Sequence, residues 1–130
     1  MTEPQNVKPE VELPQGRPPV NLEIKDLVVG EGATAAKGDT VRVHYVGVAL
    51  STGREFDSSW ERGEPLAFTL GGRQVIRGWD MGVKGMRVGG RRRLVVPSFL
   101  AYGDRGAGPD IRPGETLVFV CDLVGIEPQD

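Results

Sequence analysis

The sequence predicts an α+β fold: an antiparallel sheet with one short helix packed on it. Three observations carry that expectation. Five runs alternate in polarity or are rich in β-branched residues, as strands are. One later stretch spaces its apolar residues as a helix does. Glycine (19) and proline (10) take an unusually large share of the 130 residues. Many of them fall between the runs as turn signals.

The elements follow in order. Residues 1–20 read as a disordered, proline-rich tail. They hold Pro4, Pro9, Pro14, Pro18 and Pro19 among Glu, Gln and Lys, with no periodic apolar pattern. Such a segment buries too little surface to offset its ordering entropy. It shows no P-x-x-P with a flanking anchor, so a proline-rich docking peptide is the weaker reading. One domain is expected over residues 21–128. Leu22-Glu23-Ile24 alternates, and Leu27-Val28-Val29 runs into the break Gly30-Glu31-Gly32. The run from Thr40 puts Val41, Val43 and Tyr45 on one face. Leu66-Ala67-Phe68-Thr69-Leu70 alternates too, and Leu94-Val95-Val96 stops at Pro97. Leu117 to Val124 is apolar on both faces, as a central strand is. Ile76, Trp79, Val83 and Met86 fall three, four and three residues apart, on one helical face. Gly78, Gly82 and Gly85 each weaken a helix there by roughly 1 kcal/mol against Ala. That helix therefore needs the sheet to support it.

Composition excludes several classes of function. The length suits a single domain. No stretch of about 18 apolar residues is present to span a membrane, and the first residues show no secretory pattern. One cysteine, Cys121, cannot form an internal disulfide. With one histidine and one cysteine, no zinc site of the usual kind can be assembled. A net charge of −2 gives no global pull toward nucleic acid. Arg91-Arg92-Arg93 reads as an exposed edge or face rather than a nucleic-acid patch, because no aromatic stacking platform accompanies it. His44, alternating with Arg42, reads as a solvated strand residue rather than a catalytic base. Nucleotide-binding glycine motifs and nucleophile elbows are missing. The expectation is a cytoplasmic monomer that uses no cofactor and no metal.

The scarce aromatics concentrate in a few segments: Val43-His44-Tyr45-Val46-Gly47, Phe56-Asp57-Ser58-Ser59 and Gln74-Val75-Ile76-Arg77-Gly78-Trp79. Ala101-Tyr102-Gly103 and Leu117-Val118-Phe119 follow downstream. On these motifs, from about residue 20 to 127, the chain resembles the FKBP-type peptidyl-prolyl cis-trans isomerases, which bind tacrolimus and rapamycin. The resemblance implies a curved antiparallel sheet of five or six strands wrapped around one short helix near residues 77–83. It implies an apolar pocket with Trp79 as floor and Tyr45, Phe56, Val75, Ile76 and Phe119 as walls. Tyr102 would stand at the rim and Ile111 would cap one side. Without the resemblance, Tyr45, Trp79 and Phe119 read equally as plain core.

The implied partners are proline-containing polypeptides and tacrolimus-like macrolides, with no nucleic acid and no membrane. The implied reaction is rotation about Xaa-Pro bonds, assisting protein folding, with no covalent chemistry. Tyr102 and the Ile76 N–H would donate to substrate carbonyls. Asp57, held by Arg62 and Tyr45, would either polarise the imide or fix the pocket geometry. Read from the residues alone, Asp57 is equally an Asx-turn residue ahead of Ser58. Leu66 stands where the best-known members have Phe, which thins one wall, and Gln74 replaces a Glu. Ala107 and Asp110 replace a His and an Ile, which bears on drug affinity and substrate preference. The absence of disulfide pairing and accessory domains suits a bacterial protein. The alternative function is a binding module in which the pocket occupies a partner and isomerisation is incidental.

Overall fold

A computed structural model describes residues 7–127. The strands are β1 (Glu23–Val28), β2 (Thr40–Ala49), β3 (Glu55–Ser58), β4 (Leu66–Thr69), β5 (Arg91–Val96) and β6 (Leu117–Glu127). The helices are α1 (Ser59–Arg62) and α2 (Arg77–Gly82). Every strand pairing is antiparallel, in the order β1-β5-β6-β2-β3, and β4 also pairs with β2. The doubly apolar run is indeed central: β6 lies between β5 and β2.

Two elements go beyond the sequence expectation. β3 is only four residues long and half charged, so no periodic run marks it. α1 is a single turn that follows β3 directly. Its Ser58 cap accepts from the Trp60 N–H, and Gly63 closes it in the left-handed conformation at φ 80°. Among the described residues there are therefore two short α-helices where one helix was expected.

β3 and β4 share one edge of β2. β3 pairs with Val46–Val48 and β4 with Thr40–Val43, and the chain between them leaves the sheet through α1. Around Tyr45 that edge of β2 has no ladder partner. The Ser59 hydroxyl, fully buried, fills the gap by accepting from the Tyr45 N–H at 2.6 Å.

Alternation divides the sheet into two faces. Val41, Val43, Tyr45, Leu94, Val96, Leu117, Phe119 and Leu123 join Trp79, Val83 and Met86 in the main core. Val48, Val95 and Val118 form a smaller cluster on the opposite face, packed with Val11 and Leu50. Gly78 and Gly82 lie four apart on the side of α2 that meets β5. A Cβ on Gly78 would fall 2.4 Å from Val96 Cγ1, and one on Gly82 would fall 2.7 Å from Leu94 Cδ1. The glycines that weaken the helix are what let it approach the sheet.

The arginine run is not an exposed face. β5 is an interior strand, so its side chains have neighbours on both sides. Arg91 pairs with the buried Asp122 at 2.6 Å. Arg92, only 8% exposed, pairs with Asp26 at 2.7 Å and donates to the Gly82 and Lys84 carbonyls at the end of α2. A cation there satisfies carbonyls that the helix leaves unpaired. His44 is likewise not simply solvated. It is half-buried, stacks on Trp60 at 4.1 Å and sits 2.8 Å from Ser59 Oγ. Burial moves its pKa below the usual value; Asp122 opposes that shift and Arg42 adds to it.

Residues 7–20 form no helix or strand, but they touch the domain through Lys8 and Val11. Residues 1–6 of the expected tail and residue 128 of the expected domain lie outside the described residues.

Candidate active site

A cavity of about 160 Å³ opens between α2 and the main-core face of the sheet. Trp79, 3% exposed, forms its floor. Helical spacing and the close approach allowed by Gly78 bring the indole under the strands. Tyr45 meets it edge-on at 4.7 Å and 84°, and Phe119 does so at 5.3 Å and 85°. Phe56 on β3 stands edge-on to Phe119 at 5.6 Å. These are the perpendicular arrangements that ring quadrupoles favour. Leu66, Val75 and Ile76 complete the apolar lining, and Gln74 and Tyr102 reach the edge. The Gln74 side-chain carbonyl accepts from the Thr69 N–H at 2.9 Å, which ties that loop to β4. The Trp79 indole N–H is buried without an acceptor among the described residues.

One polar network stands in this wall. Arg62 Nη1 donates to Asp57 Oδ1 at 2.6 Å, and Arg62 Nη2 donates to the Tyr45 hydroxyl at 2.8 Å. The Tyr45 hydroxyl donates to Asp57 Oδ2, and the Ser58 N–H donates to Asp57 Oδ1 at 2.9 Å. Both carboxylate oxygens are therefore engaged. Burial, with Asp57 beside it, pushes the Tyr45 pKa up to about 12, against an opposing pull from Arg62. Tyr45 thus remains a donor throughout the neutral range. Burial raises the Tyr102 pKa as well, and the charge of Asp57 adds to that.

The structure gathers Tyr45, Phe56, Asp57, Leu66, Val75, Ile76, Trp79, Tyr102 and Phe119 around this one cavity. Arg62 stands behind Asp57 and Tyr45 rather than in the lining. Ile111, expected to cap one side, is not among the residues that line the cavity. It is buried in the main core, where its carbonyl accepts from the Ala107 N–H at 2.9 Å. That bond closes the loop after Tyr102.

Two contributors carried little signal of their own. A Cβ on Gly47 would fall 2.7 Å from both Phe119 and Phe56, so the two rings meet over bare backbone. Ser59 supports Tyr45 from behind. Neither role is visible without knowing which strands pair.

His44 belongs to the opposite face from Tyr45, as the next residue along the strand, so the one imidazole of the sequence lies away from the cavity. Fold and site together define an α+β protein whose sheet and helix enclose a small aromatic pocket. Such a pocket suits an apolar ring flanked by polar backbone.

Known proteins narrow this to one family. Residues 31–124 match the family of FKBP-type peptidyl-prolyl cis-trans isomerases. The FK506-binding protein of Streptomyces anulatus is 65% identical over 120 residues, covering 92% of this chain and 97% of that one. The probable FK506-binding protein of Corynebacterium glutamicum is 53% identical over 117 residues, covering 90% and 97%. The crystal structure of AtFKBP13 superimposes with a TM-score of 0.75 at 44% identity, over 82% of this chain and 93% of that one. The chain belongs to the FKBP-type peptidyl-prolyl cis-trans isomerase family.

Proposed function

We propose that the Tyr45–Trp79–Phe119 cavity accelerates Xaa-Pro rotation in polypeptides and takes tacrolimus-type macrolides in the same place. The observation that carries this reading is an aromatic cavity whose one carboxylate is already bound on both oxygens. An Xaa-Pro bond turns over a barrier of roughly 20 kcal/mol because twisting breaks amide resonance. The twisted amide has less charge separation than the planar one. An apolar enclosure therefore favours the transition state over the ground state.

In this reading the prolyl ring rests on Trp79 between Tyr45 and Phe119. Phe56, Leu66, Val75 and Ile76 exclude water around it. Tyr102 and the Ile76 N–H, just ahead of α2, donate to carbonyls flanking the proline. Asp57 fixes the geometry of the wall rather than attacking or protonating anything, because Arg62 and Tyr45 already occupy it. Arg62 acts through these two residues.

The names of the relatives support macrolide binding. A cytoplasmic monomer assisting folding fits the remaining features. The single cysteine leaves no internal disulfide to maintain. The edge strand β1 carries Glu23, Lys25 and Asp26, charges that discourage pairing with a second sheet. Arg91 and Arg92 are matched by Asp122 and Asp26, which argues against nucleic acid as a partner.

The test is exchange NMR on a short Leu-Pro-Phe peptide, with and without tacrolimus. Acceleration abolished by the drug is expected. No acceleration from a folded sample overturns the enzymatic reading and favours the binding module. Acceleration that the drug leaves untouched overturns the shared site.

A further inference from the structure

The segment ahead of the first strand is fastened to the elements that carry the polar wall. Lys8 Nζ lies 2.9 Å from Glu55 Oε1 and 2.8 Å from Glu61 Oε2. Glu55 opens β3, two residues before Asp57, and Glu61 lies in α1 next to Arg62. One ammonium thus bridges the strand that bears Asp57 and the helical turn that bears Arg62. Other fastenings hold the segment down. The Val7 carbonyl accepts from Arg91 Nη2 at 2.8 Å. Val11 packs on the outer-face cluster of Val48, Val95 and Val118. Leu13 reaches Gly53 in the turn that leads into β3.

α1 needs such support. A helix of four residues gains almost nothing from its own backbone. Its Arg62 must nevertheless hold two bonds, to Asp57 and to Tyr45. A second route leads to the same turn. Arg91, which holds Val7, also pairs with Asp122, and Asp122 lies opposite His44 across the β6–β2 pairing. His44 in turn contacts Ser59 and Trp60 of α1.

We infer that residues 7–13 are a positioning strap for β3 and α1, and that Lys8 is a positioning residue that sets the Arg62–Asp57–Tyr45 wall. The inference rests on the isomerase reading for its effect on turnover, but not for its effect on structure. Lys8 touches no substrate. It acts by fixing the distance between Asp57 and Arg62, and displacements below an ångström in such a frame alter rate more than binding. The bridge is partly exposed, so salt screens it.

The experiment uses the full chain and its Lys8→Ala and Lys8→Arg variants. Turnover is followed together with the NMR signals of the Trp60 indole, the Asp57 amide and the Arg62 side chain. Lys8→Ala is expected to lower kcat about threefold with KM unchanged and to move all three signals. Lys8→Arg is expected to restore both readouts. Molar salt is expected to narrow the difference between the parent protein and Lys8→Ala, because it screens the Lys8 bridge only in the parent and the half-exposed Arg62–Asp57 pair in both. Wild-type kcat in Lys8→Ala, unmoved signals, or no rescue by Lys8→Arg each overturns the strap. Should the parent protein itself show no turnover, the isomerase reading fails. The signals and their rescue then decide the strap alone.

Discussion

The helix α2 lines the cavity, α1 stands behind its polar wall, and the two are held in opposite ways. α2 lies under the core with Gly78 and Gly82 against β5, and the buried Arg92 binds the carbonyls at its end. α1 sits at the periphery and is held by side-chain bonds: the Ser58 cap, the Ser59 hydroxyl and the Lys8 bridge. The floor of the pocket is therefore fixed by packing and its polar wall by hydrogen bonds. Packing is paid for in stability when it is disturbed, while loosened hydrogen bonds at a partly exposed wall show mainly as lost geometry.

The largest effect should come from the floor. Trp79→Ala removes the indole that Tyr45, Phe68 and Phe119 pack against, and is expected to lower stability by about 3–5 kcal/mol and abolish turnover. Denaturant unfolding checks the first and peptide exchange the second. A loss below 1 kcal/mol would break the contrast between the helices.

Gly78→Ala sharpens it. Intrinsic propensity favours Ala by roughly 1 kcal/mol. The new Cβ would fall 2.4 Å from Val96 Cγ1, and Val96 is fully buried with little room to retreat. Overpacking of this kind costs about 1–3 kcal/mol, so the expected net result is destabilisation by about 1 kcal/mol. A gain in the unfolding midpoint would mean that α2 is not pressed against β5.

Arg62→Gln probes the wall. The Arg62–Asp57 pair is nearly half exposed, with side-chain exposures of 46% and 42%, so stability should change by less than about 1 kcal/mol. Turnover should fall about tenfold as Asp57 and Tyr45 lose their shared partner. Equal losses in stability and activity would erase the distinction between floor and wall.

The smallest effect is a dependence on pH. The His44 pKa is lowered in the folded protein, mainly by burial, so the unfolded chain takes up the proton first as pH falls. Stability should decline from about pH 6.5 downward until folded His44 titrates. His44→Phe, which can keep a ring against Trp60, should flatten that decline. An unchanged slope in the variant would show that α1 is not sensed through His44.

Much of the fold was legible in the sequence because strands and helices bury faces with fixed periods. Val41, Val43 and Tyr45 share a face as alternation requires, and the doubly apolar Leu117–Val124 run became the central strand. Short elements lacked that signal. Glu55–Ser58 is too brief and too charged to show alternation, and α1 is a single turn. The aromatic cluster of the site was visible as composition, but only family resemblance distinguished a pocket from plain core. Ile111, which the resemblance set as a cap on one side, is buried in the main core and does not line the cavity.

By itself the sequence determined the fold class, the positions of the main strands along the chain, the position of the principal helix and the grouping of the aromatics. These follow from local periodicity and from motifs that occupy consecutive residues. Tertiary structure alone decided what is made between distant segments. It turned Arg91 and Arg92 from an apparent surface patch into ion-pair partners of Asp122 and Asp26, with Arg92 buried. It put Ser59 in place of a missing strand partner for Tyr45. It also turned helix-weakening glycines into the reason that Trp79 can lie beneath the sheet. The physical reason is the same in each case. Charge neutralisation, hydrogen bonding and close packing depend on distances through space, and no spacing along the chain encodes those distances.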